Sequence, residues 1–440
     1  MQVCESVIEN GRKQCLGMKS RNRFWKKKIS VLILTVLLCA GSILSFAGCS
    51  FGKTSEEENP QVPENLLELL LGGNQNGTLT KGEAFMEKAN TLKSLIDTYF
   101  WKDTNEDAMY EGMYHGLLNS LEDPYSCYYT KEEYAALMEE MEGTYCGIGA
   151  LVSQNASTKV ITIVRPFVNG PAYKAGMLPG DILTKIDGED VSAWDIDLAV
   201  KHMKGEQNTI VEVEVWRASA GEYVELSITR DLVEVETVTY EMMEDSIGYI
   251  YIMQFDEVTT QQFTTALEEL KAQGMKGLVV DIRDNGGGLL TTVCDMLDLF
   301  LEEEDLIVYT LDKYDIKDEI YAKEGSTGAI PMAVLINGFS ASASEIFSGA
   351  LQDYGLATIV GTQSFGKGIV QSVIPLSDGS AVKLTVSTYY TPEGRNIHGV
   401  GITPDVVVEL DEALRQKPVV SLEEDNQVQR AIEEVKKLIK

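Results

Sequence analysis

Ile29 to Ala47 is an apolar stretch of nineteen residues without charge, directly behind the basic run Arg21–Lys28. A basic segment, an apolar segment and a small-residue exit at Phe46-Ala47-Gly48-Cys49 form the pattern of an export signal, not of a folded element. Residues 49–82 are then predicted to be a mobile tether of Gly, Asn, Pro and acidic residues, with one short apolar patch at Leu66–Leu71. From about Glu83 the apolar spacing turns helical, placing Leu92, Leu95, Ile96 and Tyr99 on one face. A second helix is predicted over Ala108–Leu121. Thr130-Lys131-Glu132-Glu133 opens a third with a capping-box pattern.

After Gly143 the period changes to two. Lys159–Val164, Ile182–Ile186, Ile210–Trp216 and Tyr223–Thr229 are short, rich in β-branched residues and predicted to be strands. From Asp245 onward strands and helices alternate. Gly248–Ile252, Gly277–Asp281, Met332–Ile336 and Ala357–Val360 are apolar strands, separated by the helical patterns Thr259–Gln273 and Ala343–Leu351. That alternation predicts an α/β layer. Ser380–Tyr390 and Val406–Leu410 read as late strands, and a charged helix follows from Asn426. The predicted organisation is a signal segment over 1–48, a tether over 49–82, a helical module over 83–142, a β-domain over 143–232, an α/β core over 233–412 and a helical segment over 413–440.

Charge narrows the partners. The chain carries a net charge of -31, although residues 1–48 are basic, so everything after the signal is strongly acidic. Such a body lacks the basic footprint that nucleic acid requires. Hydrophobic residues make up 44%, enough for real cores and too many for a disordered chain. Of seven cysteines, four fall before residue 50. Cys127, Cys146 and Cys294 remain, an odd number without metal-ligand or disulfide spacing. No metal and no organic cofactor is expected.

Candidate chemistry starts from a shortage. The chain holds three histidines, His115, His202 and His398, and no Gly-x-Ser-x-Gly elbow, so a Ser-His-Asp triad would have to use His398. A serine nucleophile without histidine needs another base. Asn337–Ile346 places Ser340, Ser342 and Ser344 where an apolar strand ends and a helix begins, so main-chain N–H groups at the helix start could meet a developing oxyanion. Gly361–Gly368 brings Lys367 among apolar and small residues. Burial there would disfavour the ammonium and leave an amine able to take a hydroxyl proton. The same glycines mimic a phosphate-binding loop, but Gly368 stands where Ser or Thr would have to hold magnesium.

Two blocks carry a first resemblance. Gly170–Asp181 with Ile182 resembles the Gly-x-Ala-x-x-Ala-Gly-Leu-x-x-Gly-Asp-x-Ile signature of PDZ domains, and Tyr145-Cys146-Gly147-Ile148-Gly149 looks like their carboxylate-binding loop. The resemblance implies that Gly147, Ile148 and Gly149 hold a peptide's terminal carboxylate while the peptide adds a strand to the sheet edge.

The remaining blocks resemble the C-terminal processing peptidases, also called tail-specific proteases. The matching segments are Ser340–Ile346, Ser364–Gln371, Asp281–Gly288, Ser120–Ser126 and Tyr389–Arg395, and Asp284 stands where asparagine is commoner. The resemblance implies an α/β multidomain chain with a ClpP/crotonase-like core. It casts Ser342 as nucleophile, Lys367 as general base and Gln371 as the residue that orients the lysine. Ala343 and Gly287 would supply the oxyanion hole. The ending at Gly48-Cys49 resembles a lipobox, with Phe46 where leucine is preferred, implying lipidation at Cys49. An uncleaved membrane anchor is the alternative, since nineteen apolar residues just reach the length needed to span. Met18 is an alternative start.

The expected function is hydrolysis of extracytoplasmic proteins captured by their C-terminal tails, on a body tied to the membrane. A homodimer or an activator protein is an open expectation. The rival readings are a catalytically silent PDZ scaffold and an adaptor that delivers substrates to another protease.

Overall fold

The computed structural model describes residues 80–439, apart from 324–327, 329, 416, 418 and 419. The signal segment, Cys49 and the tether up to residue 79 lie outside the described residues. Among the described residues no helix is long and apolar enough to cross a membrane.

The chain divides into two units, the first ending at Glu106 and the second beginning at Asp107. The described part of the first unit is built on α1 (Lys81–Tyr99). The Thr80 amide donates to the Glu83 carboxylate at 2.9 Å and the Glu83 amide returns a bond to Thr80 Oγ1, so the helix starts two residues before the apolar pattern does. Its predicted apolar face stays exposed, with Leu92, Ile96 and Tyr99 each at least two-fifths accessible.

The second unit begins one residue into α2 (Glu106–Asn119) and continues with β1 (Cys127–Tyr129) and α3 (Lys131–Glu142). Thr130 and Glu133 exchange the capping bonds that the sequence predicts, and Gly143 closes α3 in the left-handed conformation.

A β-domain follows. It comprises β2 (Thr144–Gly147), β3 (Ala150–Gln154), β4 (Ile161–Pro166), the short α4 (Pro171–Lys174), β5 (Ile182–Ile186), β6 (Glu189–Asp190), α5 (Ile196–Met203), β7 (Ile210–Arg217), β8 (Glu222–Thr229) and β9 (Asp231–Glu234). Strands β3-β4-β5-β7-β8 form one antiparallel sheet with β6 on β5, and β2 pairs with β9. Ile161, Ile163, Ile186, Val211, Val213 and Val215 point alternately inward to a core of their own.

The core sheet has six strands in the order β10-β11-β12-β15-β16-β19. These are β10 (Val238–Met243), β11 (Ile247–Ile252), β12 (Gly277–Asp281), β15 (Met332–Ile336), β16 (Thr358–Gly361) and β19 (Val406–Val407). From β11 onward every pairing is parallel. Both faces are covered, which is why β12 and β15 are buried at every position. Leu278, Val280, Val334 and Ile336 face a core shared with α6 (Thr259–Ala272), α7 (Leu290–Leu297) and α8 (Ala343–Asp353). Val279, Ala333, Leu335 and Val360 face the opposite way. They meet Val428, Ala431, Ile432 and Val435 of the C-terminal helix, which follows the single turn α9 (Glu412–Arg415) as α10 (Asn426–Leu438).

A second sheet lies outside this layer: β13 (Leu306–Asp312), β14 (Lys317–Tyr321), β17 (Ile369–Pro375) and β18 (Ala381–Tyr390), in which β18 also pairs with β1. This antiparallel sheet is what brings the segment before β1 beside the loop that carries Lys367.

Candidate active site

The turn from β15 into α8 separates the three serines of its motif. Ser340 Oγ is wholly buried, donates to Ile282 O at 2.8 Å and accepts the Asn337 amide. Ser344 Oγ, equally buried, donates to Asn285 O at 2.9 Å. Both hydroxyls are structural fasteners between this turn and the segment after β12. Ser342, between them, is half-buried and carries φ 56° and ψ -116°. A positive φ on a non-glycine residue is a strained backbone that persists only when its surroundings hold it.

Three groups hold it. Ser342 N donates to Glu345 Oε2 at 2.9 Å. Tyr389 Oη donates to Ser342 O at 3.0 Å. The Ser342 carbonyl also takes the first helical amides of α8, from Glu345 and Ile346. Glu345 is wholly buried, and its carboxylate accepts from four donors in all: Ser342 N, Ser364 Oγ at 2.6 Å, Gly366 N at 2.7 Å and Lys367 N at 2.9 Å. One carboxylate thereby locks the serine turn to the lysine loop. Burial and Glu345 push the Tyr389 phenol well above its ordinary range, so it stays a neutral donor.

Gly287 presses against the serine from the other side. A Cβ there would lie 2.8 Å from Ser342 Cβ and 3.0 Å from Ala343 N, and its φ of 106° suits glycine alone. Its own N–H donates to Asn285 Oδ1 at 2.8 Å. In this conformation the amide of Gly287, for which the resemblance implies an oxyanion role, is engaged with Asn285, and Ala343 N lies close by at the start of α8. Asp284 adopts a left-handed φ of 61° and exchanges two 3.0 Å bonds with Asn337. Asp281 and Arg283 form a buried clamp: Arg283 bonds Asp281, Asp425 and Gln427, and Tyr249 Oη donates to Asp281 at 2.8 Å.

Lys367 is half-buried. Burial is the first cause lowering its pKa and the Lys383 ammonium the second, while the Glu345 and Asp123 carboxylates oppose them. Its Nζ lies 4.8 Å from the centroid of the Tyr125 ring. Among the described residues no hydrogen bond joins Lys367 to Ser342. Gln371 faces Thr385 Oγ1 and Ile369 O at 3.4 and 3.5 Å, not Lys367. His398 is exposed and, among the described residues, forms no hydrogen bond with Ser342.

In the β-domain, Gly147, Ile148 and Gly149 are buried at the exit of β2. Ile148 O accepts the Ala172 amide at 2.7 Å and Gly149 O accepts that of Phe167 at 3.0 Å, so the signature block, through Ala172, and the residues just before it hold this loop. Among the described residues no group of His, Cys, Asp or Glu could hold a metal ion.

Comparison with known proteins decides the family. Residues 246–408 match the peptidase family S41 model, 162–217 a PDZ domain model and 38–133 the model of the activating protease CtpB N-terminal domain. A carboxy-terminal-processing protease of Bartonella bacilliformis is 39% identical over 71% of this chain and 73% of its own length. The chain belongs to peptidase family S41. The carboxy-terminal processing protease CtpA of Bacillus subtilis is 35% identical over 79% of this chain and 75% of its own. A solved photosystem II D1 C-terminal processing protease is 30% identical over 80% of this chain and 98% of its own, with a TM-score of 0.45. As an S41 member the chain is a serine peptidase of the carboxy-terminal-processing type with a PDZ domain, and its substrates are proteins.

Sequence reasoning missed Glu345, Tyr389 and Tyr125. Glu345 reads locally as a capping residue three places after Ser342, and nothing along the chain connects it to residues 364–367.

Proposed function

We propose that the chain is an extracytoplasmic serine endopeptidase in which Ser342 attacks the scissile carbonyl, Lys367 takes and returns the proton, and the PDZ domain captures substrates by their C-terminal tails. The observation that carries this reading is the division of labour among three serines. The hydroxyls of Ser340 and Ser344 are committed to backbone carbonyls, and that of Ser342 is the accessible one. Its strained backbone presents it at the start of a helix, where the Ala343 amide and the helix dipole favour negative charge.

Turnover requires the Lys367 amine, whose charged form burial disfavours, to meet Ser342 Oγ. The hydroxyl proton passes to Nζ as Oγ bonds to the carbonyl carbon. The ammonium then returns the proton to the leaving amine, and water hydrolyses the acyl-enzyme by the same route. Gln371, on the strand after the lysine loop, would orient Nζ in that state. In the PDZ domain the loop 147–149 would receive the tail carboxylate on its backbone amides. The export signal and Cys49 would hold the body outside the cytoplasm, tethered to the membrane.

The test compares the full chain with Ser342→Ala and Lys367→Ala on an unfolded reporter protein with an apolar tail, ending in a free carboxylate or an amide. The reading expects cleavage by the unaltered protein alone, and faster cleavage of the free-tail reporter. Equal cleavage by all three proteins would exclude the dyad. Equal rates on the two reporters would exclude carboxylate capture.

A further inference from the structure

The segment before β1 has no part in the reaction as described, yet it touches the base. Asp123 organises a tight turn: its carboxylate accepts the Tyr125 amide at 3.1 Å and the Ser126 hydroxyl at 2.6 Å. Ser126, buried, accepts the Thr385 amide of β18 at 3.0 Å, 259 residues along the chain. The turn is therefore bolted to the sheet beside the lysine loop, and β1 continues the join by pairing with β18. Thr385 is the same residue that faces Gln371. Out of this turn the half-buried Tyr125 ring lies under Lys367 Nζ, 4.8 Å from the ring centroid.

We infer that Tyr125 is a positioning residue for the general base: its ring face seats the Lys367 side chain in the charged, resting position from which it must depart to reach Ser342. This rests on the dyad reading above. The physical basis is selectivity for charge. An aromatic face attracts an ammonium through its quadrupole and has no such attraction for a neutral amine. The groups facing Lys367 pull in both directions. Tyr125 and Asp123 from the turn, and Glu345 from α8, favour the ammonium, whereas burial and Lys383 from β18 favour the amine. A ring face works at short range and is lost as soon as Nζ moves. Tyr125 thus ties the position of the base to its protonation.

The test titrates Lys367 directly, by NMR of the full chain labelled at lysine Cε, with the resonance assigned through Lys367→Arg. Tyr125→Phe keeps the π face and is expected to leave the midpoint where it is. Tyr125→Leu removes the face while keeping the site apolar, and is expected to lower the midpoint by ~0.5–1 pH unit. Replacing Tyr125 with pentafluorophenylalanine keeps ring shape and reverses the quadrupole, so the same downward shift is expected even if the leucine variant does not fold. A purely structural turn would leave the midpoint unmoved in all the variants that fold, and that result overturns the inference. If the midpoint shifts as expected while Lys367→Ala still cleaves the reporter, the contact stands and the dyad reading falls.

Discussion

Tyr389 and Ser342 are joined by a 3.0 Å hydrogen bond from a buried phenol to a backbone carbonyl, across 47 residues of sequence. Because Ser342 O also accepts two helical amides, losing the phenol would not orphan it. Tyr389→Phe is therefore expected to fold, with little change in melting temperature. What it loses is one restraint on a strained residue, worth about 1 kcal/mol. Expressed in the barrier, that is roughly a fivefold lower kcat with KM little changed. Steady-state kinetics on the reporter protein check this.

Glu345 should behave differently. Its carboxylate serves four donors, and a glutamine there would turn an NH2 group towards one or more of them. Glu345→Gln is expected to destabilise the protein by about 2–4 kcal/mol, the range for leaving buried polar groups unpaired. Both the serine turn and the lysine loop would loosen, so activity should fall by more than the roughly fivefold drop expected for Tyr389→Phe. Denaturant unfolding and cleavage assays read the two effects separately.

Asp256 offers a pH signature of stability. It is buried beside Gly143, where α3 gives way to the β-domain, and burial raises its pKa to about 7, with Gln254 opposing and Glu140 adding to the rise. In the unfolded chain an aspartate titrates near ~3.9. Between about pH 4 and 7 the native state thus holds a proton that the unfolded state has released, so this group's contribution to stability is lost as pH rises through that window. Asp256→Asn removes the dependence. Its melting temperature relative to the unaltered protein should climb from pH 4 to pH 7, and a constant difference would refute the assignment.

The parts legible in the sequence were those with local causes. The capping box at Thr130, the apolar strands Gly277–Asp281 and Met332–Ile336, and the start of α8 at Ala343 stand where the patterns put them. Buried parallel strands leave an unmistakable apolar run, because both faces must be covered. The hairpin β13–β14 and strand β17 were not legible. Their sheet is partly exposed, Lys317–Tyr321 is mostly polar, and the half-buried Ile369–Pro375 shows no clean alternation. Three serines spaced by two cannot be ranked by spacing. They differ only in which carbonyls their hydroxyls reach, and those belong to Ile282 and Asn285, more than fifty residues earlier. The same holds for Tyr125 over Lys367, a contact between segments that the Ser126–Thr385 bond and the pairing of β1 with β18 bring together.

The measurement that bears most directly on the central claim is acylation. The full chain, mixed with a peptide p-nitrophenyl ester and quenched in acid, should carry one acyl group, which peptide mass spectrometry assigns to Ser342. Ser342→Ala should carry none, and Lys367→Ala should acylate at least ~100-fold more slowly at neutral pH, the loss expected for a general base. An adduct on another residue, or equal acylation of Ser342→Ala, would contradict the account.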